Sequence, residues 1–495
     1  MSDPDGEASS DRRWLRWIDR VWKSPTANTW VSLFSRSASL VLVLPLVLRN
    51  FTDKEAAVWF LFSAVIAVQG VLGFGFNPSF ARLLAYARAG AEVEKMLDLR
   101  SGASIAVSTG INWRSIGRLV ACMERVFGAL ALMSTLLMAT VGTAAVWRQV
   151  GLAGHPPSIW IAWGCVAAGC GLGFLSTHYA SILQGMDRLT EWRRAETVLS
   201  LGGIVSASLV LVLGGRILAL TLTYQVWGVV SWWVYRRLAR WSLGPDYQAK
   251  AGPLGWEAPV FWLVWNSAWK SGLAVLLTHG IIQATGVIQA QFGTPATTAT
   301  YNFTLRVVTM ISQVVQAPFL TKLPELARLR AVGDQPRQWA LLRRGMMVTH
   351  WSIVLVMALG AVAMPFGLRW IGSQSVTFDP ILWAFFATNL FFERHGGMLH
   401  QVRNLTNQPL EHIGVAGYSV TILLLMVLLH PWYDWYAYPL AMLGTQLFFA
   451  VWFNAAMAYP ILRMRPLAWE RTLALPPFFA LMLINLILVW VAPSS

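Results

Sequence analysis

Charge is scarce in this chain. Asp, Glu, Lys and Arg make up 12% of its 495 residues, about half of the ~25% usual in soluble domains, so a string of soluble globular domains is excluded. Cysteine is scarcer still: three occur, and Cys165 and Cys170 share one apolar run, which leaves neither a disulfide framework nor a CxxC metal site. The absence of a glycine period or a long heptad run removes collagen and coiled coils, and at 56% hydrophobic residues the chain is too apolar for disorder. Residues 1–23 contain Arg12, Arg13, Arg16, Arg20 and Lys23 but no apolar core or small-residue cleavage site, so no secretory signal peptide is expected.

What the chain has instead is apolar length. A membrane-crossing helix needs about 20 predominantly apolar residues, and such runs fall at 29–48, 56–81, 126–147, 158–185, 196–214, 217–235, 259–290, 297–320, 345–368, 380–402, 412–430, 436–460 and 472–492, which predicts about thirteen helices. With a cytoplasmic N-terminus, 29 of the 38 Lys and Arg residues fall in inner segments and 5 in outer ones, a strong positive-inside asymmetry. The net charge of +15 is thereby explained by orientation, and no nucleic-acid partner is expected. The longest inner connection, 82–125, holds amphipathic stretches at Ala91–Arg100 and Trp113–Val120. The short outer loops offer no constellation of carboxylates for a membrane glycosyltransferase.

Two internal matches suggest duplication, a common plan in transporters. Pro78, Arg82 and Arg88 match Pro318, Lys322 and Arg328 in spacing, each set at the inner end of the second helix of a half. At a shift of 216 residues, Leu189-Thr190 matches Leu405-Thr406. The expected fold is an all-α polytopic membrane protein of two parallel six-helix lobes, related by a pseudo-two-fold axis along the membrane normal, plus one C-terminal helix. The boundaries are 1–28 for a basic inner segment, 29–235 for the first lobe, 236–258 for a linker, 259–460 for the second lobe and 461–495 for a connector and the extra helix.

The four cations left over lie inside spans: Arg36, Lys270, Arg306 and Arg394, with Glu393 as the one acid so placed. A charge at a helix centre costs about 2.5–3.5 kcal/mol on insertion scales, hence roughly 10–14 kcal/mol for four. One acid leaves three cations over, and neighbours in sequence do not face each other on a helix, so Glu393 and Arg394 are not expected to pair. An aqueous cavity with an anionic guest resolves the cost. Ser32, Arg36 and Ser39 form one stripe, Asn266 and Lys270 repeat the i, i+4 pair, and Asn302, Arg306, Thr309, Gln313 and Gln316 line one helical face. His178, which aligns with Arg394, and His279 are further cavity candidates. Plainer readings stand beside these: snorkelling for Arg36 and Lys270, bracing for Glu393 and Arg394, packing for the histidines, and interface anchoring for tryptophans such as Trp262, Trp265, Trp269, Trp432 and Trp435.

The patches Gly73-Phe74-Gly75-Phe76 through Arg82, Phe292-Gly293-Thr294-Pro295 with Tyr301 and Arg306, and Gln184-Gly185-Met186-Asp187-Arg188 resemble the polysaccharide-transporter branch of the multidrug/oligosaccharidyl-lipid/polysaccharide flippase superfamily. The likeness spans the pattern of residues 29–460 through short motifs. It implies two lobes around a cationic cavity, alternating access, and movement of an undecaprenyl-pyrophosphate-linked oligosaccharide across the bacterial inner membrane without enzymatic chemistry or cofactor. Arg36, Lys270, Arg306 and Arg394 become candidate ligands of pyrophosphate and glycan. Ser32, His178, Asn266, His279, Asn302, Thr309, Gln313 and Gln316 are candidate cavity-lining residues, and Glu393 is a candidate ion-coupling group. Implied partners are the polyprenyl-pyrophosphate-linked glycan, membrane lipid and a polysaccharide polymerase or export machinery. The alternatives are a cation-coupled exporter of small organic cations, a membrane glycosyltransferase or ligase, and a non-transporting scaffold.

Overall fold

The computed structural model describes residues 25–73, 75–93, 110–251, 255–332, 334–373, 375–404, 411–462 and 466–491. The basic stretch 1–24, most of Ala91–Arg100, and the repeat partners Leu405 and Thr406 lie outside them, as does Phe74. Among the described residues every regular element is helical. In chain order these are α1 (Pro25–Asn50), α2 (Asp53–Gly70), α3 (Phe76–Arg88), α4 (Trp113–Leu137), α5 (Thr143–Leu152), α6 (Pro157–Gly185), α7 (Leu189–Val212) and α8 (Ile217–Lys250). They continue with α9 (Ala258–Val275), α10 (Ile281–Phe292), α11 (Pro295–Val315), α12 (Ala317–Leu320), α13 (Leu323–Val332), α14 (Gln335–Ile371), α15 (Pro380–Asn404), α16 (Glu411–Tyr433), α17 (Ala437–Thr445), α18 (Val451–Leu462), α19 (Pro466–Leu473) and α20 (Leu475–Val491).

Each apolar run of the sequence falls on helix. Among the described residues, eight helical stretches are long and apolar enough to cross a membrane, and Leu475–Val491 is a shorter apolar helix. The protein is a multi-pass membrane protein. Several helices outrun the apolar windows that announced them. The amphipathic stretch at Trp113–Val120, expected as part of a connection, is the first two turns of α4, whose start is capped by Asn112 accepting from the Ser115 amide. The expected linker at 236–258 is helical as far as Lys250, with a kink at Gly244 where φ is +68°. α14 starts at an Asp334 cap, ten residues ahead of its apolar run, and its 37 residues extend about 55 Å at 1.5 Å per residue, well beyond a hydrocarbon core of about 30 Å. Hydropathy ends where charge begins, but the backbone ladder does not. The charged turns are held by short-range pairs such as Arg193–Glu196 at 2.7 Å and Lys250–Asp246 at 3.0 Å.

The spans are also more broken than continuous runs suggest. A π turn at Met138–Gly142 joins α4 to α5, another at Leu276–Gly280 joins α9 to α10, and a third at Gln446–Ala450 joins α17 to α18. The second helix of each sequence half breaks at the matching place: a 3-10 turn at Val71–Gly73 precedes α3 and Pro78, and Gln316 separates α11 from α12 and Pro318.

The chain divides into two compact units. The first comprises 1–50, 69–144 and 155–272. In it α6 packs against α3, α4 and α8, and α1 lies along α7, around Phe80, Phe127, Leu130, Phe174 and Ile182. Lipid supplies no hydrophobic drive for helix association, so close approach at small residues does the holding. A Cβ on Gly185 would stand 2.4 Å from that of Leu84, and one on Gly75 would stand 2.1 Å from the Ala268 carbonyl oxygen. A bidentate Arg118–Glu257 pair, with Nε 2.8 Å from Oε1, ties α4 to the residue preceding α9.

The second unit comprises 51–68, 145–154 and 273–495. Its centre is α15, flanked by α11, α14, α17, α18 and α20, with Phe319, Met346, Met398, Leu399 and Tyr459 in one core cluster. The extra helix α20 is fixed there by Asn485, whose amide donates to Thr388 Oγ1 at 3.2 Å. Trp370, Trp432 and Trp490 stand 82–89% exposed at the last turns of α14, α16 and α20, where amphipathic indoles anchor helix ends at a membrane interface.

Candidate functional site

The polar stripe of α11 carries Arg306, a predicted cation whose side chain lies among the described residues. Thr294 caps α11 by accepting from the Thr297 amide, with Pro295 at its first turn, and this fixes where the stripe starts. Asn302 is buried and donates to the Gly286 and Thr298 carbonyls at 3.3 and 3.0 Å, so its amide joins α11 to α10. One turn on, half-buried Arg306 seats its guanidinium over the Trp59 ring at 5.0 Å and reaches Ser63 Oγ at 3.5 Å. Trp59 is itself buried, packed edge-on to Phe60. Thr309 donates its hydroxyl to the Leu305 carbonyl at 2.7 Å, and Gln313 is exposed.

Gln316, at the foot of the stripe, accepts a hydrogen bond from Arg394, and the same guanidinium bonds to Glu393. The expectation that adjacent residues cannot face each other is corrected here. Spacing rules describe Cβ directions, and the long arginine stem folds back far enough to meet the neighbouring carboxylate. Arg394 thus has its charge answered, with Nε buried and without a partner among the described residues. Arg306 and Gln316 are ten residues apart on the helix, about 15 Å at 1.5 Å per residue, so Arg394 is not brought to Arg306.

Ser32 and Arg36 lie on α1, Lys270 on α9 and His279 in the π turn after α9. Their side chains lie outside the described residues. Asn266 on α9 is exposed. His178 is buried in the first unit against Phe127 and Tyr179, ring centroids 5.9 and 4.6 Å away.

Arg148 and Gln149 lie just past the apolar run 126–147, and neither is among the residues singled out from the sequence. Both sit in the second half of α5, and their side chains close off the end of α10. Arg148 donates to the Ala290 and Gly293 carbonyls at 3.2 and 2.8 Å, and buried Gln149 donates to the same two at 2.8 and 3.2 Å. In return Gln291 donates to the Ala145 carbonyl at 2.7 Å. The last carbonyls of a helix have no partner within it and carry the negative end of its dipole, so a cation and an amide there satisfy both needs. The patch Phe292-Gly293-Thr294-Pro295 is therefore the acceptor of this clasp and the cap of α11.

No known family model matches this chain, and no curated protein matches it. Solved structures do. An inward-facing multidrug resistance MATE family transporter of the MOP superfamily aligns over 90% of this chain and 100% of its own at 12% identity, with a TM-score of 0.59. The lipid II flippase MurJ in an inward closed conformation aligns over 94% and 97% at 12% identity and a TM-score of 0.59. A Vibrio cholerae MATE transporter aligns over 91% and 99% at 15% identity and 0.55. The chain has the fold of these transporters. Its α11 therefore lies within an architecture found both in multidrug transporters and in a lipid II flippase. An arginine on an indole face is held in one plane and reads paired anionic oxygens in that plane.

Proposed function

We propose that this protein is a flippase that moves an undecaprenyl-pyrophosphate-linked oligosaccharide from the cytoplasmic to the outer leaflet of a bacterial inner membrane by alternating access of its two lobes. The observation that carries the reading is Arg306, held over Trp59 and beside Ser63 within an apolar span, while the one acid of the spans, Glu393, is engaged by Arg394. A cation placed inside the membrane, at about 2.5–3.5 kcal/mol on insertion scales, suits an anionic cargo. An exporter of organic cations would want an acid in that place. Arg306 binds a phosphate oxygen of the headgroup, Arg36 and Lys270 join it, the sugars occupy water and the prenyl tail stays in lipid. A membrane potential, negative inside, assists outward movement of such an anion by about 2.3 kcal/mol per charge per 100 mV. Glycan polymerisation or export machinery follows on the outer side.

The experiment is a leaflet assay with a fluorescent short-chain polyprenyl-pyrophosphate disaccharide in proteoliposomes. Neutralising Arg306 and Lys270 together (R306Q/K270Q) abolishes exposure of the glycan on the far leaflet. Wild-type exposure in that variant refutes the assignment, and transport of a cationic dye in place of the glycan selects the exporter.

A further inference from the structure

A second set of polar groups is buried in the second unit, apart from Arg306. His350 of α14 is fully buried and His395 of α15 nearly so. His395 Nδ1 lies 3.3 Å from His350 Nε2, and its other nitrogen, Nε2, lies 3.3 Å from Glu470 Oε1 on α19. Tyr459 of α18 donates its hydroxyl to the same Oε1. The His350 ring stacks on Phe391 with centroids 4.8 Å apart, and its outward Nδ1 is buried without a hydrogen-bond partner among the described residues. The groups form a line, His350, His395, Glu470, Tyr459. Because Glu470 and His350 meet opposite nitrogens of His395, no single point has all three as ligands, which speaks for a proton and against a metal.

We infer that His350, His395 and Glu470 form a buried binding site for one exchangeable proton, and that its occupancy fastens α19 to α14 and α15. Two hydrogen-bond registers fit the geometry. With His395 neutral, its Nε2–H donates to Glu470 and His350 Nε2–H donates to His395 Nδ1. With His395 charged, both its nitrogens donate, so His350 must offer a lone pair at Nε2 and carry its own proton at Nδ1. One proton taken up therefore charges His395 and changes the tautomer of His350 without changing its charge. The charged register adds an ion pair to the Glu470 contact, so uptake of the proton strengthens the docking of α19 and its release weakens it.

Among the described residues the other titratable groups nearby do not supply the counter-charge, and on α13, which packs on α14, Glu325 is exposed. On α15, Glu393 and Arg394 bind each other, and His400 and Arg403 lie one and two turns beyond. On α14, Arg343 and Arg344 lie nearly two turns before His350. On α18 Tyr459 is the one titratable residue, on α19 Arg471 is exposed, on α11 Arg306 is at Trp59, and α17 and α20 contribute Tyr438 and nothing respectively.

The test uses the full chain in lipid nanodiscs with 15N-labelled histidine rings, H350Q and H395Q providing assignments by difference. The expected result on acidification is that His395 gains the proton while His350 passes from the Nε2–H to the Nδ1–H tautomer with the same midpoint. In E470Q the two transitions move together to lower pH. Hydrogen exchange of residues 466–473, corrected for intrinsic rate, slows on acidification in the wild type and loses that pH response in H395Q. Independent midpoints, an unchanging His350 tautomer, or a pH response of 466–473 that survives in H395Q would overturn the proposal. The readouts do not depend on what the protein carries.

Discussion

Gly75 and Gly70 lie five residues apart on either side of the break in the second span, and the structure assigns opposite signs to the same substitution at the two. A Cβ built on Gly75 would lie 2.1 Å from the Ala268 carbonyl oxygen and 2.8 Å from the Gly272 nitrogen, both backbone atoms of α9, whereas one on Gly70 meets nothing within 4 Å. Ordinary Cβ contacts begin near 3.4 Å, so Gly75→Ala must push α9 and the 75–76 turn apart by about 1 Å. Overpacking of this kind costs about 1–3 kcal/mol, and the upper half of that range applies because the obstacle is backbone and cannot rotate away. Gly70→Ala, exposed on the last turn of α2, gains up to about 1 kcal/mol of helix propensity. If the loss at Gly75 is expressed in the unfolding rate, 2–3 kcal/mol corresponds to a half-life about 30- to 160-fold shorter, since 1.4 kcal/mol is tenfold. The assay is the half-life of the monodisperse species in one detergent at one elevated temperature, for wild type, G70A and G75A. A G75A half-life equal to that of G70A would refute the close approach of the 75–76 turn to α9, and with it the reason for glycine in this motif.

Gln149→Leu removes amide donors from two helix-end carbonyls that Arg148 serves only in part. It is expected to cost about 1–2 kcal/mol and to speed hydrogen exchange across residues 289–298, and unchanged exchange there counts against the clasp. Arg306→Lys keeps the charge but loses the planar stack on Trp59, worth about 0.5–2 kcal/mol, so binding of a short-chain polyprenyl pyrophosphate weakens by up to about thirtyfold. Equal affinity in R306K shows that the stack does not orient the group. Gly286→Ala places a Cβ 2.1 Å from Asn302 Oδ1. Shortening the partner in G286A/N302A should recover part of the lost stability, as a double-mutant cycle would read, and strictly additive losses would contradict the contact.

The helices were legible because a bilayer selects long apolar runs whatever their neighbours. Their ends were not, because α4, α8 and α14 run on into charged turns held by caps and i, i+3 or i, i+4 pairs. Arg306 was legible too, since five polar residues at helical spacing stand out of an apolar run. Its seat was not, because Trp59 lies nearly 250 residues earlier on an apolar helix with no mark of its own. His350 and His395 interrupt the runs at 345–368 and 380–402 just as Arg306 interrupts 297–320, yet each is a lone histidine. What makes them a cluster is Glu470, on a short helix outside any span, and no spacing joins it to either.

Arg394 and Arg306 look alike in sequence, each a cation in a span of the second half, and the structure gives them different work. Arg394 holds Glu393 and Gln316, so its charge is balanced locally and its hydrogen bonds brace α15 against the foot of α11. Arg306 stacks its guanidinium over the Trp59 ring and reaches the Ser63 hydroxyl, contacts that set the plane of the group. Losing Arg394 should therefore act through helix packing, read as a shorter half-life in detergent, whereas under the proposed function losing Arg306 acts on transport of the glycan with that half-life kept.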